Sequence, residues 1–274
     1  MHTTINCKGK LIDLSTPKVM GILNITPDSF FDGGMYKDES SILSQVAKML
    51  QDGATFIDVG AYSSRPGAKH VSEDEELQRI VPVVVLLVQH FPDILISVDT
   101  FRSKVAEKCI EAGACMINDI SGGDLDADVF KMIAKLQVPY IVMHMQGNPQ
   151  NMQEAPIYKN VVTEIYKDLS KKVSKLNELH VHDVVLDVGF GFGKTVEHNY
   201  ELLKNLDYFQ GLGLPVLTGI SRKSMLYKPL DIEPTEALNA TTVANTIALT
   251  KGTQILRVHD VKEAVEAIKI MKLT

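Results

Sequence analysis

Eight short apolar runs punctuate the chain, and each carries or leads to a residue capable of chemistry. VMGILN ends on Asn24, TFIDVG carries Asp58, ILISVD ends on Asp99, and CMIND carries Asn118 and Asp119. YIVMH ends on His144, VVLDVG carries Asp187, PVLTGISRK reaches Lys223, and ILRVH carries Arg257 and His259. Continuous apolar runs without alternation are the mark of parallel strands buried on both faces. Between them, apolar residues recur at three- and four-residue spacing, the period of amphipathic helices. Helices are predicted over Glu39–Gln51, Glu73–Gln89, Ser103–Ala112, Asp126–Leu136, Val161–Leu179, Glu197–Leu206, Pro234–Thr250 and Val261–Lys272. Eight strand–helix repeats predict an α/β fold, the (β/α)8 TIM barrel, whose strand C-terminal ends share one active-site face. Residues 1–18 are predicted to form a short N-terminal extension, a small hairpin across the barrel's bottom.

Three connections are longer than a barrel needs: Pro27–Asp38, Ala61–Ser72 and Asn148–Tyr158. Long loops in compact domains are commonly lids or binding loops.

The length of 274 residues is close to the roughly 250 typical of one such barrel. The whole chain, 1–274, is therefore read as one domain. A net charge of −6 with interspersed signs argues against a nucleic-acid or membrane partner. Cys7, Cys109 and Cys115 have no disulfide or zinc spacing, which fits a reducing, cytoplasmic setting. The first residues, MHTTINCKGK, lead into no signal-type apolar core, and the longest apolar run, VPVVVLLV, is far short of a membrane span.

The strand ends carry the candidate chemistry. Asn24 offers an amide oxygen able to ligate Mg2+, with Asp28 and Asp32 in the loop beyond; alone, Asn24 reads equally as a turn residue. Arg65, within Ser63-Ser64-Arg65-Pro66-Gly67, can clamp a carboxylate or phosphate. Asp99, Asn118 and Asp187 put two carboxylates and an amide at three strand ends, a set matched to a nitrogen heterocycle. Helix capping is the plain alternative, but Thr100 or Ser103 can cap the third helix and leave Asp99 available. Gly189–Thr195 (GFGFGKT) fails the phosphate-loop pattern, because Val188 stands where glycine is required; it reads as a glycine turn that lets a ligand approach backbone. Ser221-Arg222-Lys223-Ser224 and Arg257-Val258-His259-Asp260 follow the seventh and eighth strands, the frequent phosphate site of these barrels. Asp260 and Glu263 also read as a capping box for the last helix. His180 and His182 fall before a strand, on the face away from the site. His144 and Asp58 receive no chemical role, and Asp58 is read as structural.

Taken together, GILNITPDSFFDGG, SSRPG, ISVDTFRSKVA, IND, DVGFGFGKT, GISRKS and RVHDV, in that order, resemble the dihydropteroate synthase family. The resemblance implies condensation of (7,8-dihydropterin-6-yl)methyl diphosphate with 4-aminobenzoate, giving 7,8-dihydropteroate and pyrophosphate, with Mg2+ as cofactor and a homodimer as the assembly. By position it implies that Asp99, Asn118, Asp187, Lys223 and Arg257 hold the pterin. Asn24, Arg257 and His259 would hold the pyrophosphate, with Mg2+ at Asn24. Ser64, Arg65, Pro66, Phe192 and Ser224 would border the aminobenzoate, and Asp99, Lys223 and Arg65 would carry catalysis. Three positions depart from the family pattern: Ser64 replaces a threonine, Val188 a proline, and Phe31 a small polar residue. Two rivals share part of the pattern, a methyltetrahydrofolate:corrinoid methyltransferase and a non-catalytic pterin-binding homologue. Neither has a use for SSRPG, SRKS and RVH together.

Overall fold

A computed structural model of the chain describes residues 3–25, 35–62, 71–148, 152 and 156–273, with backbone alone at 35–38. Two short strands open it, β1 (Thr4–Cys7) and β2 (Lys10–Asp13), paired antiparallel. Lys8 and Gly9, the two residues between them, have φ of 54° and 78°, the left-handed pair that a two-residue hairpin turn requires. Alternation does the rest: Ile5, Cys7, Ile12 and Leu14 point inward and pack on Met20, Phe56, Cys115, Met116, Ile141, Val185, Leu217 and Ile255. Those residues begin the barrel strands, so the hairpin closes the barrel's bottom, as expected.

The barrel strands are β3 (Lys18–Asn24), β4 (Phe56–Gly60), β5 (Ile96–Asp99), β6 (Met116–Asp119), β7 (Tyr140–Met143), β8 (Val184–Asp187), β9 (Val216–Thr218) and β10 (Ile255–Val258). All pair in parallel, and β10 returns to β3 to close an eight-stranded barrel. The helices around it are α1 (Met35–Gln51), α2 (Glu73–His90), α3 (Ser103–Glu111), α4 (Val129–Leu136), α5 (Val161–Glu178), α6 (Val196–Lys204), α7 (Ser224–Tyr227), α8 (Leu238–Thr250) and α9 (Val261–Met271). Their apolar stripes lock onto the outer strand residues in one large cluster, from Val19 to Ile268.

Helix boundaries shift from the periodic pattern where local chemistry intervenes. α1 starts at Met35 rather than Glu39, which shortens the first long loop. α4 starts at Val129 rather than Asp126, because the Asp126 carboxylate accepts from Ser103 N–H at 2.7 Å and so serves the start of α3. Neither Thr100 nor Ser103 caps α3 in the expected way. Pro234 opens a separate short 3-10 turn ahead of α8. α7, four residues long, carried no periodic signal.

Candidate active site

The barrel order turns scattered strand ends into one mouth. Asp99 and Asn118 are direct register partners across β5 and β6, and Asp187 closes β8 beside Met143 of β7. Arg257, on β10, reaches across the opening. Its Nη2 donates to Asp99 Oδ2 at 2.7 Å and its Nε to Asp58 Oδ2 at 2.6 Å. The same Asp58 oxygen accepts from Asn118 Nδ2 at 3.0 Å. Asp58 is fully buried, and its Oδ1 has no hydrogen-bond partner among the described residues. Buried side-chain oxygens usually have a hydrogen-bond partner, so this one stands out. Asp58 is thus a buried support that orients two candidate site residues, Asn118 and Arg257. The available signal was a carboxylate inside an otherwise apolar buried strand, where a charge needs a partner.

Burial governs the electrostatics. It pushes the Asp99 carboxyl up to about 7, against the pull of Arg257 and with help from Asp58. Burial works against the Arg257 charge, but Asp58 and Asp99 outweigh it and hold the guanidinium firmly protonated. Asp187 is raised by burial while Lys223 and the Gly189 N–H, 2.8 Å from its Oδ1, pull it down. Lys223 is lowered to about 8 by burial, with Asp187 opposing. Its Nζ donates to the Phe190 carbonyl at 2.5 Å and lies 4.7 Å from the centre of the Phe192 ring. Ser224 follows directly as the first residue of α7.

At the other end of the mouth, Asn24 ends β3 and His259 directly follows the neighbouring strand β10, and both are exposed. Ser221 Oγ is 3.0 Å from His259 Nδ1 and accepts the His259 N–H at 3.2 Å. The expected cluster of cations loses one member. Arg222 makes a two-pronged ion pair with Asp260, at 2.9 and 2.8 Å, and donates to the carbonyls of Pro234 and Thr235. It is a brace between the loops after β9 and β10. Asp260, spent on Arg222, makes no side-chain cap on α9. Ser63, Ser64, Arg65, Pro66, Asp28, Phe31 and Asp32 lie outside the described residues. His180 and His182 sit in the loop entering β8, away from the mouth.

Arg102 is given no role by its sequence pattern, yet it is held by contacts from several elements. It ion-pairs with buried Glu76, donates to Val71 O at 2.6 Å, and lies over the Tyr62 and Phe101 rings at 5.5 and 5.0 Å. Tyr62 and Val71 flank residues 63–70, so one guanidinium touches the described residue on each side of that segment.

The family model described as pterin binding enzyme matches residues 20–259. Over 97% of its length the chain is 43% identical to the dihydropteroate synthase of Escherichia coli K12, covering 95% of that relative. This chain belongs to the dihydropteroate synthases. The Haemophilus influenzae dihydropteroate synthase is also 43% identical, with 97% of this chain and 96% of the relative covered. A crystal structure of the Yersinia pestis dihydropteroate synthase with a sulfonamide drug superposes with a TM-score of 0.92 at 43% identity, covering 98% of each chain. The Xanthomonas albilineans dihydropteroate synthase in complex with 7,8-dihydropteroate gives 0.87 at 30% identity, covering 99% of this chain and 98% of that one. The chain is thus a transferase of folate biosynthesis that forms dihydropteroate, on the barrel its sequence pattern predicts. No helix among the described residues is long and apolar enough to cross a membrane.

Proposed function

We propose that the mouth divides the dihydropteroate synthase reaction between two groups of residues. Asp99, Asn118, Asp187, Lys223 and Arg257 hold the pterin, and Asn24, Arg257 and His259 hold the diphosphate. The observation that carries this reading is the linked set Asn118–Asp58–Arg257–Asp99, which joins side chains of β4, β5, β6 and β10. It holds the guanidinium ready between heterocycle and leaving group. Phe192 and Ser224, beside Lys223, border the aminobenzoate, and Ser64, Arg65 and Pro66 are assigned there on family resemblance, with Arg65 joining Asp99 and Lys223 in catalysis.

The electron-rich pterin expels pyrophosphate as the methylene carbon–oxygen bond breaks. The aminobenzoate nitrogen forms the new bond to that carbon and loses one proton. No covalent nucleophile is required. Holding the two partners in line is worth up to about 7–11 kcal/mol in favourable cases. Asp99 favours positive charge on the pterin fragment, while Arg257 and His259 balance the charge on the departing group. Among the described residues no three His, Cys, Asp or Glu converge on a metal site. Mg2+ nevertheless suits this donor set, since it takes few protein ligands and shares substrate phosphates. Asn24 would hold it, and bound there it would supply charge neutralisation to the diphosphate.

A homodimer is supported by α8. Its thirteen residues, LNATTVANTIALT, include no charged side chain, and Val243 and Ile247 are 54% and 40% exposed one turn apart. An outer helix with an apolar exposed face suits a partner surface. The three free, buried cysteines support a reducing cytoplasmic setting. One closed barrel carrying the proposed residues supports reading 1–274 as a single functional domain.

Pyrophosphate release from the dihydropterin diphosphate, with and without 4-aminobenzoate, tests the assignment. Release should depend on 4-aminobenzoate, and Lys223→Ala should weaken both pterin affinity and turnover. Unchanged values in Lys223→Ala contradict its place in the site. Asp99→Asn should slow turnover more than it weakens an unreactive pterin; the reverse pattern removes its charge-stabilising role.

A further inference from the structure

We propose that Lys194 is a positioning residue for the reaction: its buried amine gathers the carbonyls of the loop after β8 and so sets where Lys223 and Asp187 stand. The inference rests on the reading that Lys223 binds the pterin substrate. Lys194 is 3% exposed. Its Nζ lies 2.8 Å from Gly189 O, 2.8 Å from Phe192 O, 3.3 Å from His144 O and 3.2 Å from His144 Nδ1. One amine therefore ties the loop after β8 to the end of β7.

That loop is built to turn sharply and would not hold its course unaided. Gly189, Gly191 and Gly193 all have positive φ, a conformation that glycine adopts freely and that leaves carbonyls pointing away from any ladder. Every described contact that orients the Lys223–Asp187 pair from this side comes from it. Phe190 O accepts from Lys223 Nζ, the Phe192 ring lies beside that Nζ, and Gly189 N–H donates to Asp187. A side chain on Gly191 would meet Lys223 Cδ at 3.2 Å, so the backbone also sets the lysine's path. Tyr158 OH adds a bond to Gly193 O at 2.9 Å from the flank. His144 has a use in this arrangement. Burial and the neighbouring Lys194 keep its pKa far below the ordinary histidine range, so the ring is neutral and can offer Nδ1 as an acceptor to the amine 3.2 Å away. The Gly-Lys-Thr string thus turns its lysine inward onto its own backbone.

Steady-state kinetics of full-length K194M, K194Q, Y158F, K223A and the double variant K194M/K223A test this, with thermal unfolding recorded for each. K194M should lower kcat/KM for the pterin diphosphate by about 100-fold, the scale of a misplacement of about 1 Å. K194Q, which keeps an N–H donor, should retain more activity than K194M. Y158F should lose about three-fold, one hydrogen bond's worth. The double variant should be no slower than K223A alone, since both losses pass through Lys223. The alkaline limb of the K194M pH profile should move upward as the Lys223 amine gains solvent. A K194M enzyme within about two-fold of wild type, or losses that multiply in the double variant, overturns the inference. Should K194M not fold, K194Q alone and combined with K223A decides by the same criterion. A K223A enzyme with unchanged pterin affinity and turnover refutes the reading of Lys223 itself, a separate result from a silent K194M.

Discussion

At the residue scale, two groups in the mouth titrate near neutrality and in opposite senses. Asp99 must be ionised to favour a cationic pterin fragment, and burial has raised its carboxyl to about 7. Activity should therefore rise as pH increases through that value. Lys223 must keep its proton to donate, and burial has lowered it to about 8. Activity should fall again above that. The pH profile of kcat/KM for the pterin substrate should be a narrow bell, because it reports the free enzyme's essential groups. Asp99→Asn should remove the acid limb, and Lys223→Arg should carry the alkaline limb upward. A flat profile between pH 6 and pH 9 in wild type, beyond the span of about one unit on either side of these values, contradicts both roles. The carboxylates and cations of this set were legible as residues at strand ends. Asp58 was not, because nothing in TFIDVG shows that its partners are Asn118 and Arg257, 60 and 199 positions away.

At the element scale, the loop after β8 shows how backbone geometry serves the site. A Cβ on Gly189 would sit 2.0 Å from the His144 carbonyl, at a φ of 70°. Gly189→Ala should cost at least about 1–3 kcal/mol for the strained backbone alone, measured by chemical denaturation, and should reduce turnover by moving Phe190 O from Lys223. Wild-type stability in this variant contradicts the packing described. Arg102 is the matching brace on the opposite wall. Arg102→Met strands Glu76 in the interior without its cation, at a cost of about 3–5 kcal/mol, again readable by denaturation. Helix interiors were legible from their apolar spacing to within a few residues. Their starts were less so at α4, where Asp126, read as its first residue, instead accepts from the Ser103 N–H of α3.

At the scale of the whole molecule, α8 carries the prediction. Val243→Glu together with Ile247→Glu should shift the protein from dimer to monomer in size-exclusion chromatography with light scattering, leaving the barrel's circular dichroism unchanged. A wild-type protein that is already monomeric, or a dimer indifferent to both charges, removes α8 from the interface.

The chain by itself determined the strand count, the barrel and the polar residues that tip its strands, because burial on two faces and helical period are written locally in hydrophobic spacing. Only the closed barrel decided how those tips divide. Arg222 stands next to Lys223 in sequence, yet it is spent on Asp260, while Arg257 serves the mouth. Lys194, in the glycine turn that fails the phosphate-loop pattern, points inward onto its own backbone. The physical reason is the same in each case. A cation's role is set by which acceptors reach it within about 3 Å, and in a barrel those acceptors come from strands far apart along the chain.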